Sequence, residues 1–240
     1  MQAIILAGGL GTRLRSVVAD RPKVLAPVAG RPFLAWLLDD LVRAGFETVC
    51  LATGHLAEQI EDTLGSLHAV PDASQSAKLL YSREEAPLGT GGAVRMALRK
   101  LTDKPTFVLN GDTYVRPDWQ QMLACHETRR SRLTIGVRQV DDTSRYGAVE
   151  TAGDRVTSFG EKMRSGPGLI NAGVYLLQTE TFAPLNPARD SFSIERDLIA
   201  AHIPDLQPKA WLIDSPFLDI GVPEDFQRAE AFLRDVVATR

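Results

Sequence analysis

Gly8, Gly9, Gly11, Thr12, Arg13 and Lys23 are the first residues in the chain whose types and spacing could do chemistry. Glycines carry no Cβ, so backbone N–H groups can come close to phosphate oxygens. Arg13 would neutralise charge as a planar fork. Lys23, set between Pro22 and Pro27, would do so as a point charge. The chemistry implied is polyphosphate binding; the same residues taken alone also suit a plain tight turn. Two better-known phosphate motifs fail. The dinucleotide fingerprint needs a third glycine where Leu14 stands, and a Walker A loop needs Gly-Lys-Ser/Thr where Arg13 and Leu14 stand.

The elements that must position this stretch follow from periodicity. Ala3 to Ala7 is an apolar run of strand length that empties into the glycines. Phe33, Leu34, Trp36, Leu37, Leu38, Leu41 and Val42 form a helical stripe stopped by Gly45. Glu47 to Thr53 is a second buried strand. Leu56, Ala57, Ile60 and Leu64 mark a helix ended by Gly65, and His68 to Ala77 reads as a polar connecting loop. Lys78 to Ser82 is a third strand. After it, Glu84-Glu85-Ala86-Pro87-Leu88-Gly89-Thr90-Gly91-Gly92 places a second glycine-rich loop at the start of a helix. This stretch reads either as a flexible helix start or as a flat floor for a base. Thr106 to Leu109 is a fourth strand, running into Asn110-Gly111-Asp112-Thr113. A carboxylate just past the carboxyl end of a parallel strand lies where α/β sheets bind ligands, although Asp112 would equally cap a turn. This strand–helix alternation predicts a parallel sheet.

The second half alternates polar and apolar residues over 132–138, 147–151 and 155–159, with a hairpin turn at Gly153-Asp154, and so predicts antiparallel strands. Tyr146-Gly147, Glu161-Lys162 and Asn171 are its polar points of interest. Taken alone, Glu161-Lys162 suits a solvated pair and Asn171 a turn. A short helix is expected from Phe192 to Ala201 and a strand over 209–213. Asp219 sits in Asp-Ile-Gly-Val-Pro, which taken alone suits a turn carboxylate, before a last helix opened by Pro223, Glu224 and Asp225.

Composition narrows the class. The chain has 240 residues, 44% of them hydrophobic, and a net charge of −3. That length suits one α/β core, and that charge gives no reason to expect nucleic acid or an acidic membrane as partner. Cys50 and Cys125 show no metal spacing and read as two reduced thiols. The first apolar run lacks a basic start and is only a strand long, so no signal peptide is expected, and no stretch approaches the ~20 apolar residues of a membrane helix. A cytoplasmic protein is expected.

The composite run Leu6-Ala7-Gly8-Gly9-x-Gly11-Thr12-Arg13-Leu14, followed by Pro22-Lys23-x-x-x-Pro27-Val28, resembles the signature of the sugar-1-phosphate nucleotidyltransferases. Within them, the opening is most similar to the D-glycero-α-D-manno-heptose 1-phosphate guanylyltransferases. The resemblance implies a Rossmann-like, mostly parallel α/β sheet of the glycosyltransferase-A type, with a smaller antiparallel β extension over the sugar site. It implies one domain over 1–240, with a nucleotide half in 1–130 and a sugar-phosphate half in 131–240. It implies transfer of GMP from GTP to a sugar 1-phosphate, for cell-surface polysaccharide synthesis, with Mg²⁺ held by Asp112 and Asp219.

The resemblance also gives Arg13, Lys23, Asp112 and Lys162 catalytic roles. It places the nucleotide against Leu6, Ala7, Gly8, Gly9, Gly11, Thr12, Arg13, Lys23, Glu85, Leu88, Gly89, Thr90 and Gly111. The sugar phosphate falls to Tyr146, Gly147, Glu161, Lys162 and Asn171. A mannose 1-phosphate guanylyltransferase, an amino-sugar uridylyltransferase and a non-catalytic nucleotide-sugar-sensing subunit stay open as alternatives, as does a homo-oligomer. The meeting of Asp112 with Asp219, far apart in sequence, is the structural requirement this reading makes.

Overall fold

The computed structural model describes residues 1–9, 21–71, 73–160, 166–186 and 188–238, with residues 237 and 238 described by their backbone alone. Strand β1 (Gln2–Leu6) is the centre of the molecule, buried on both faces. A small hairpin, β2 (Pro27–Val28) and β3 (Arg31–Pro32), leads into helix α1 (Phe33–Arg43). Gly45, at φ +87°, lets the chain leave α1 and turn into β4 (Thr48–Thr53). Helix α2 (Ala57–Leu64) follows, then β5 (Leu67–Ala69), β6 (Ser76–Arg83), α3 (Gly89–Leu98), β7 (Thr106–Asn110), β8 (Thr113–Val115) and α4 (Trp119–Thr128). Beyond these come β9 (Leu133–Val140), β10 (Ala148–Ala152), β11 (Arg155–Phe159), β12 (Gly168–Leu177), the short helix α5 (Ile203–Leu206), β13 (Lys209–Leu212), β14 (Phe217–Asp219) and α6 (Pro223–Ala238).

Ten strands join one sheet in the order β10-β11-β13-β9-β12-β7-β1-β4-β6-β5. The centre, β7-β1-β4-β6, is parallel, as the strand–helix alternation requires. The expected antiparallel extension is a continuation of this sheet: β12 runs antiparallel to β7 and to β9. Because β10 also pairs with β12, strands β10, β11, β13, β9 and β12 close on themselves, which leaves β5 as the open edge of the sheet. Residues alternate faces along the central strands. Ala3, Ile5, Phe107 and Leu109 pack under α1, α4 and α6, while Ile4 and Val108 pack under α3 and the segment 182–206. Phe46, Phe107 and Trp119 form a cluster of edge-to-face rings with centroids 5.2–5.4 Å apart.

Two expectations need adjustment. The polar loop over 68–77 includes part of β5, whose exposed–intermediate–exposed pattern on an edge gave no apolar run to read. The helix expected over 192–201 is a wide π-type turn over Ile194–Ile199 that tightens over Ala200–His202. Cys50 is buried and Cys125 half-buried, both free, and burial pushes the Cys50 thiol up to about 12.

Candidate active site

The chain crosses from β1 to β4 to β6 on one side, then returns to place β7 on the other. The carboxyl ends of β1 and β7 therefore flank the point where the strand order reverses, the usual place for a ligand in an open α/β sheet. Leu6 pairs with Asn110 there, and the Gly111 N–H donates to the Leu6 carbonyl at 3.0 Å. A Cβ on Gly111 would lie 2.5 Å from that carbonyl, so glycine is what lets this turn close and bring Asp112 over the end of β1. A cleft of about 1210 Å³ opens at this place. Leu6, Ala7, Gly8, Gly9, Lys23, Glu85, Gly89, Thr90 and Asp112 line it, as do Glu84, Asn110 and Glu195, which sequence reasoning did not single out. Gly11, Thr12, Arg13, Glu161 and Lys162 lie outside the described residues.

The two residues expected to hold the metal are brought near each other in the backbone by a strand pair. In the antiparallel β8–β14 ribbon, Asp219 stands opposite Thr113, and the Ile220 N–H donates to the Asp112 carbonyl at 2.9 Å. Asp219 Oδ1 accepts the Gly221 N–H at 2.6 Å, and Gly221 borders the cleft. Asp112 Oδ2 accepts from Lys23 Nζ at 2.6 Å, with the lysine side chain 11% exposed and the carboxylate 33%. Among the described residues no group of three or more His, Cys, Asp or Glu could hold a metal by itself. Asp112 at the cleft, with Asp219 on the strand paired beside it, offers two hard carboxylates, which fits the magnesium mode in which one or two carboxylates and substrate phosphates share the ion.

The second glycine-rich stretch is used differently from its reading as a floor. Its glycines form the first turn of α3, against the segment 190–194. A Cβ on Gly89 would lie 2.6 Å from the Phe192 carbonyl. One on Gly91 would run into the Phe192 ring, and one on Gly92 into the Asp190 carbonyl. Gly91 N–H donates to Phe192 O at 2.9 Å. Leu88 does not line the cleft: its N–H donates to Glu84 Oε2 at 3.0 Å and its carbonyl accepts the Phe192 N–H at 2.9 Å. Glu84 thus ties this segment down, with its side chain laid over Gly54, where a Cβ would come 2.7 Å from Oε1. The signal for Glu84 was its place beside Glu85 at the end of a strand, which does not say which of the two turns inward.

On the sugar-phosphate side, Gly147 O accepts the Asn171 N–H at 3.1 Å, so these two come together. Tyr146 packs edge-to-face on Phe217, 5.8 Å between centroids, two residues before Asp219. Burial pushes its phenol pKa up. None of Tyr146, Gly147, Asn171, Gly111 and Asp219 lines the large cleft. Asn171 Oδ1 accepts from the Gly173 N–H at 3.0 Å, and Nδ2 donates to Tyr175 Oη at 2.6 Å. Tyr175, fully buried, donates to Glu195 Oε1 at 3.2 Å; burial and the nearby Glu195 charge hold its pKa well above the ordinary phenol value. Glu195 Oε2 accepts from Thr90 Oγ1 at 2.8 Å and from Ser193 Oγ at 2.9 Å. One carboxylate therefore links the N-terminal turn of α3 to the strand that carries Asn171. Nothing in the spacing of Thr90, Tyr175 and Glu195 shows this, because three separate elements supply them.

Comparison with known proteins follows the same lines. A family model described as Nucleotidyl transferase matches residues 2–236. The chain is 36% identical over 237 residues to the D-glycero-alpha-D-manno-heptose 1-phosphate guanylyltransferase of Aneurinibacillus thermoaerophilus, covering 99% of this chain and 100% of that one. It is 38% identical over 227 residues to the protein of the same name from Campylobacter jejuni, covering 94% and 97%. The crystal structure of HddC from Yersinia pseudotuberculosis complexed with GMP-PN superposes with a TM-score of 0.80 at 34% identity, covering 97% of this chain and 99% of that one.

Proposed function

The chain belongs to the nucleotidyl transferase family, and on that premise we propose that it transfers a guanylyl group from GTP to D-glycero-α-D-manno-heptose 1-phosphate, giving GDP-heptose and pyrophosphate. One observation carries the reading. The strand ends that hold Gly8-Gly9 and Asp112 meet at one cleft, and the strand that ends at Asp219 is paired beside them.

In this reaction a phosphate oxygen of the sugar 1-phosphate attacks the α-phosphorus in line. The new P–O bond forms as the bond to the β-phosphate breaks, and pyrophosphate carries away the electron pair. The attacking oxygen is already anionic, so no side chain has to remove a proton, and the problem is repulsion between anions. Gly8 and Gly9 line the cleft, where their amides would donate to the departing phosphates, with Arg13 supplying charge. Lys23 is held by Asp112 and would move onto triphosphate oxygens as nucleotide enters. Glu85, Gly89 and Thr90 border the cleft on the side proposed for the base. Lys162 and Glu161, with Tyr146, Gly147 and Asn171, are assigned to the sugar phosphate. Asp112 and Asp219 would hold Mg²⁺, which when bound supplies Lewis-acid stabilisation of phosphate charge.

The test is a matrix of four nucleoside triphosphates against mannose, heptose, glucose and N-acetylated sugar 1-phosphates, read by pyrophosphate release. GTP with the heptose 1-phosphate is expected to be the fastest pair. Guanylyl transfer to mannose 1-phosphate alone would move the sugar assignment. Transfer from another triphosphate would move the base. Among the described residues no helix is long and apolar enough to cross a membrane, and a cytoplasmic, magnesium-dependent enzyme is part of the proposal.

A further inference from the structure

Asn110 stands where the cleft borders the strand that carries Asn171. It is the last residue of β7, it lines the cleft, and it precedes Asp112 by two positions. Across the β7–β12 pair Val174 faces Leu109, so Gly173 comes level with Asn110. Strand β12 bulges between Asn171 and Tyr175, and Gly173 takes φ +72° there. The Asn110 side chain lies over that glycine: a Cβ on Gly173 would be 2.7 Å from Asn110 Nδ2 and 3.1 Å from its Cγ. The bulge is therefore a seat for Asn110, and any residue other than glycine at 173 would push Asn110 out of place.

The two asparagines at this junction differ in what they have left to offer. Asn171 spends its oxygen on the Gly173 N–H at 3.0 Å and an N–H on Tyr175 Oη at 2.6 Å, and it does not line the cleft. The Asn110 carboxamide makes no side-chain hydrogen bond with any of the described residues, and Asn110 is one of the residues that line the cleft. A carboxamide offers an acceptor and two donors side by side, which matches a sugar's hydroxyl groups. Its acceptor oxygen suits a hydroxyl, which both donates and accepts, better than an ionised phosphate, which only accepts. Closing a site over such a group without a partner is costly, so a ligand group is expected to meet it.

We propose that Asn110 contacts a ring hydroxyl of the sugar 1-phosphate, seated over the Gly173 bulge that the Asn171 side chain braces. This rests on the nucleotidyl-transfer reading and deepens it by naming a residue that would discriminate among sugars.

The test combines Asn110→Ala with calorimetry and kinetics, using the heptose 1-phosphate, mannose 1-phosphate and its 2-, 3- and 4-deoxy analogues. The expected result is a KM for the sugar 1-phosphate raised about tenfold, with the Kd for GTP within about twofold of wild type. Wild type should bind one of the deoxy analogues about tenfold more weakly than the parent, and for that analogue the variant and wild type should coincide. An unchanged sugar KM, or equal losses for GTP and sugar, would overturn the proposal. So would a variant that still discriminates every deoxy analogue as wild type does. If Asn110→Ala does not fold, Asn110→Ser carries the same comparison. If wild type binds GTP and sugar 1-phosphate but releases no pyrophosphate, the catalytic reading fails while the binding arms still decide the role of Asn110. If wild type binds no sugar 1-phosphate, both fail.

Discussion

At Gly9 an added Cβ would meet no described heavy atom within 4 Å, whereas at Gly89 it would lie 2.6 Å from the Phe192 carbonyl. Both belong to glycine-rich stretches at the mouth of the same cleft. In the first, the side chain that Gly9 lacks leaves space at the end of β1, which a phosphate can enter, although a Cβ on its neighbour Gly8 would come 3.2 Å from Gly54 N and from Glu84 Oε1. In the second, the space is already taken by the chain itself: the segment 190–194 presses onto α3, and Gly91 and Gly92 are small so that Phe192 and Asp190 can approach. A glycine cluster beside a ligand site can thus serve the ligand or serve the wall that shapes the site. Only the neighbours across the gap distinguish the two.

The sharpest way to press this contrast is on the charge facing the open loop. Asp112→Asn and Asp219→Asn are each expected to lower turnover on the order of 10²–10³-fold while binding of metal-free GTP survives. Near wild-type turnover at ordinary Mg²⁺ for either variant would remove that carboxylate from the metal role. Next comes the pair of glycines themselves. Gly92→Ala should cost about 1–3 kcal/mol of stability, since its methyl meets the Asp190 carbonyl. Gly9→Ala should leave the melting temperature in place and reduce turnover. A destabilised Gly9→Ala with normal Gly92→Ala, in thermal melts run side by side, would invert the comparison.

Smaller is the effect expected at the bridge between the two halves. Glu195→Gln keeps the volume but puts an amide donor against the Thr90, Ser193 and Tyr175 hydroxyls. The KM values for GTP and for the sugar 1-phosphate should both rise, about three- to tenfold. A rise in only one would show that Glu195 serves a single half.

The smallest effect lies away from the cleft, at His126. Burial lowers its pKa to about 4, and Nδ1 faces Thr134 Oγ1 at 2.8 Å. The unfolded chain takes up this proton below about pH 6.5 while the folded chain resists it until about pH 4. Stability contributed here is thus present above about 6.5 and is lost as pH falls toward 4. In His126→Asn the decline of melting temperature across that window should be shallower than in wild type; an identical slope would assign the acid sensitivity elsewhere.

Much of the frame was legible because it rests on local rules. The apolar run of β1, the stripe of α1 and its stop at Gly45, and the hairpin at Gly153, where φ is +64°, each follow from a few neighbouring residues. The meeting of Asp112 and Asp219 came from a motif resemblance, and the β8–β14 ribbon supplies its geometry. What stayed hidden depends on contacts across the fold. Glu195 joins Thr90 and Tyr175 from elements more than a hundred residues apart at the extremes. Asn110 gains its place only because Gly173 lies opposite. Strand β5 is three residues on a polar edge and exists through its pairing with β6.

In the proposed reaction the α-phosphorus of GTP becomes bonded to the sugar phosphate in this cleft. GTP labelled at the α-phosphate, incubated with Mg²⁺ and D-glycero-α-D-manno-heptose 1-phosphate, tests it most directly. The label is expected in a sugar nucleotide, with the pyrophosphate released unlabelled. Label that stays in GTP, or that appears in GMP without a sugar nucleotide, would contradict it.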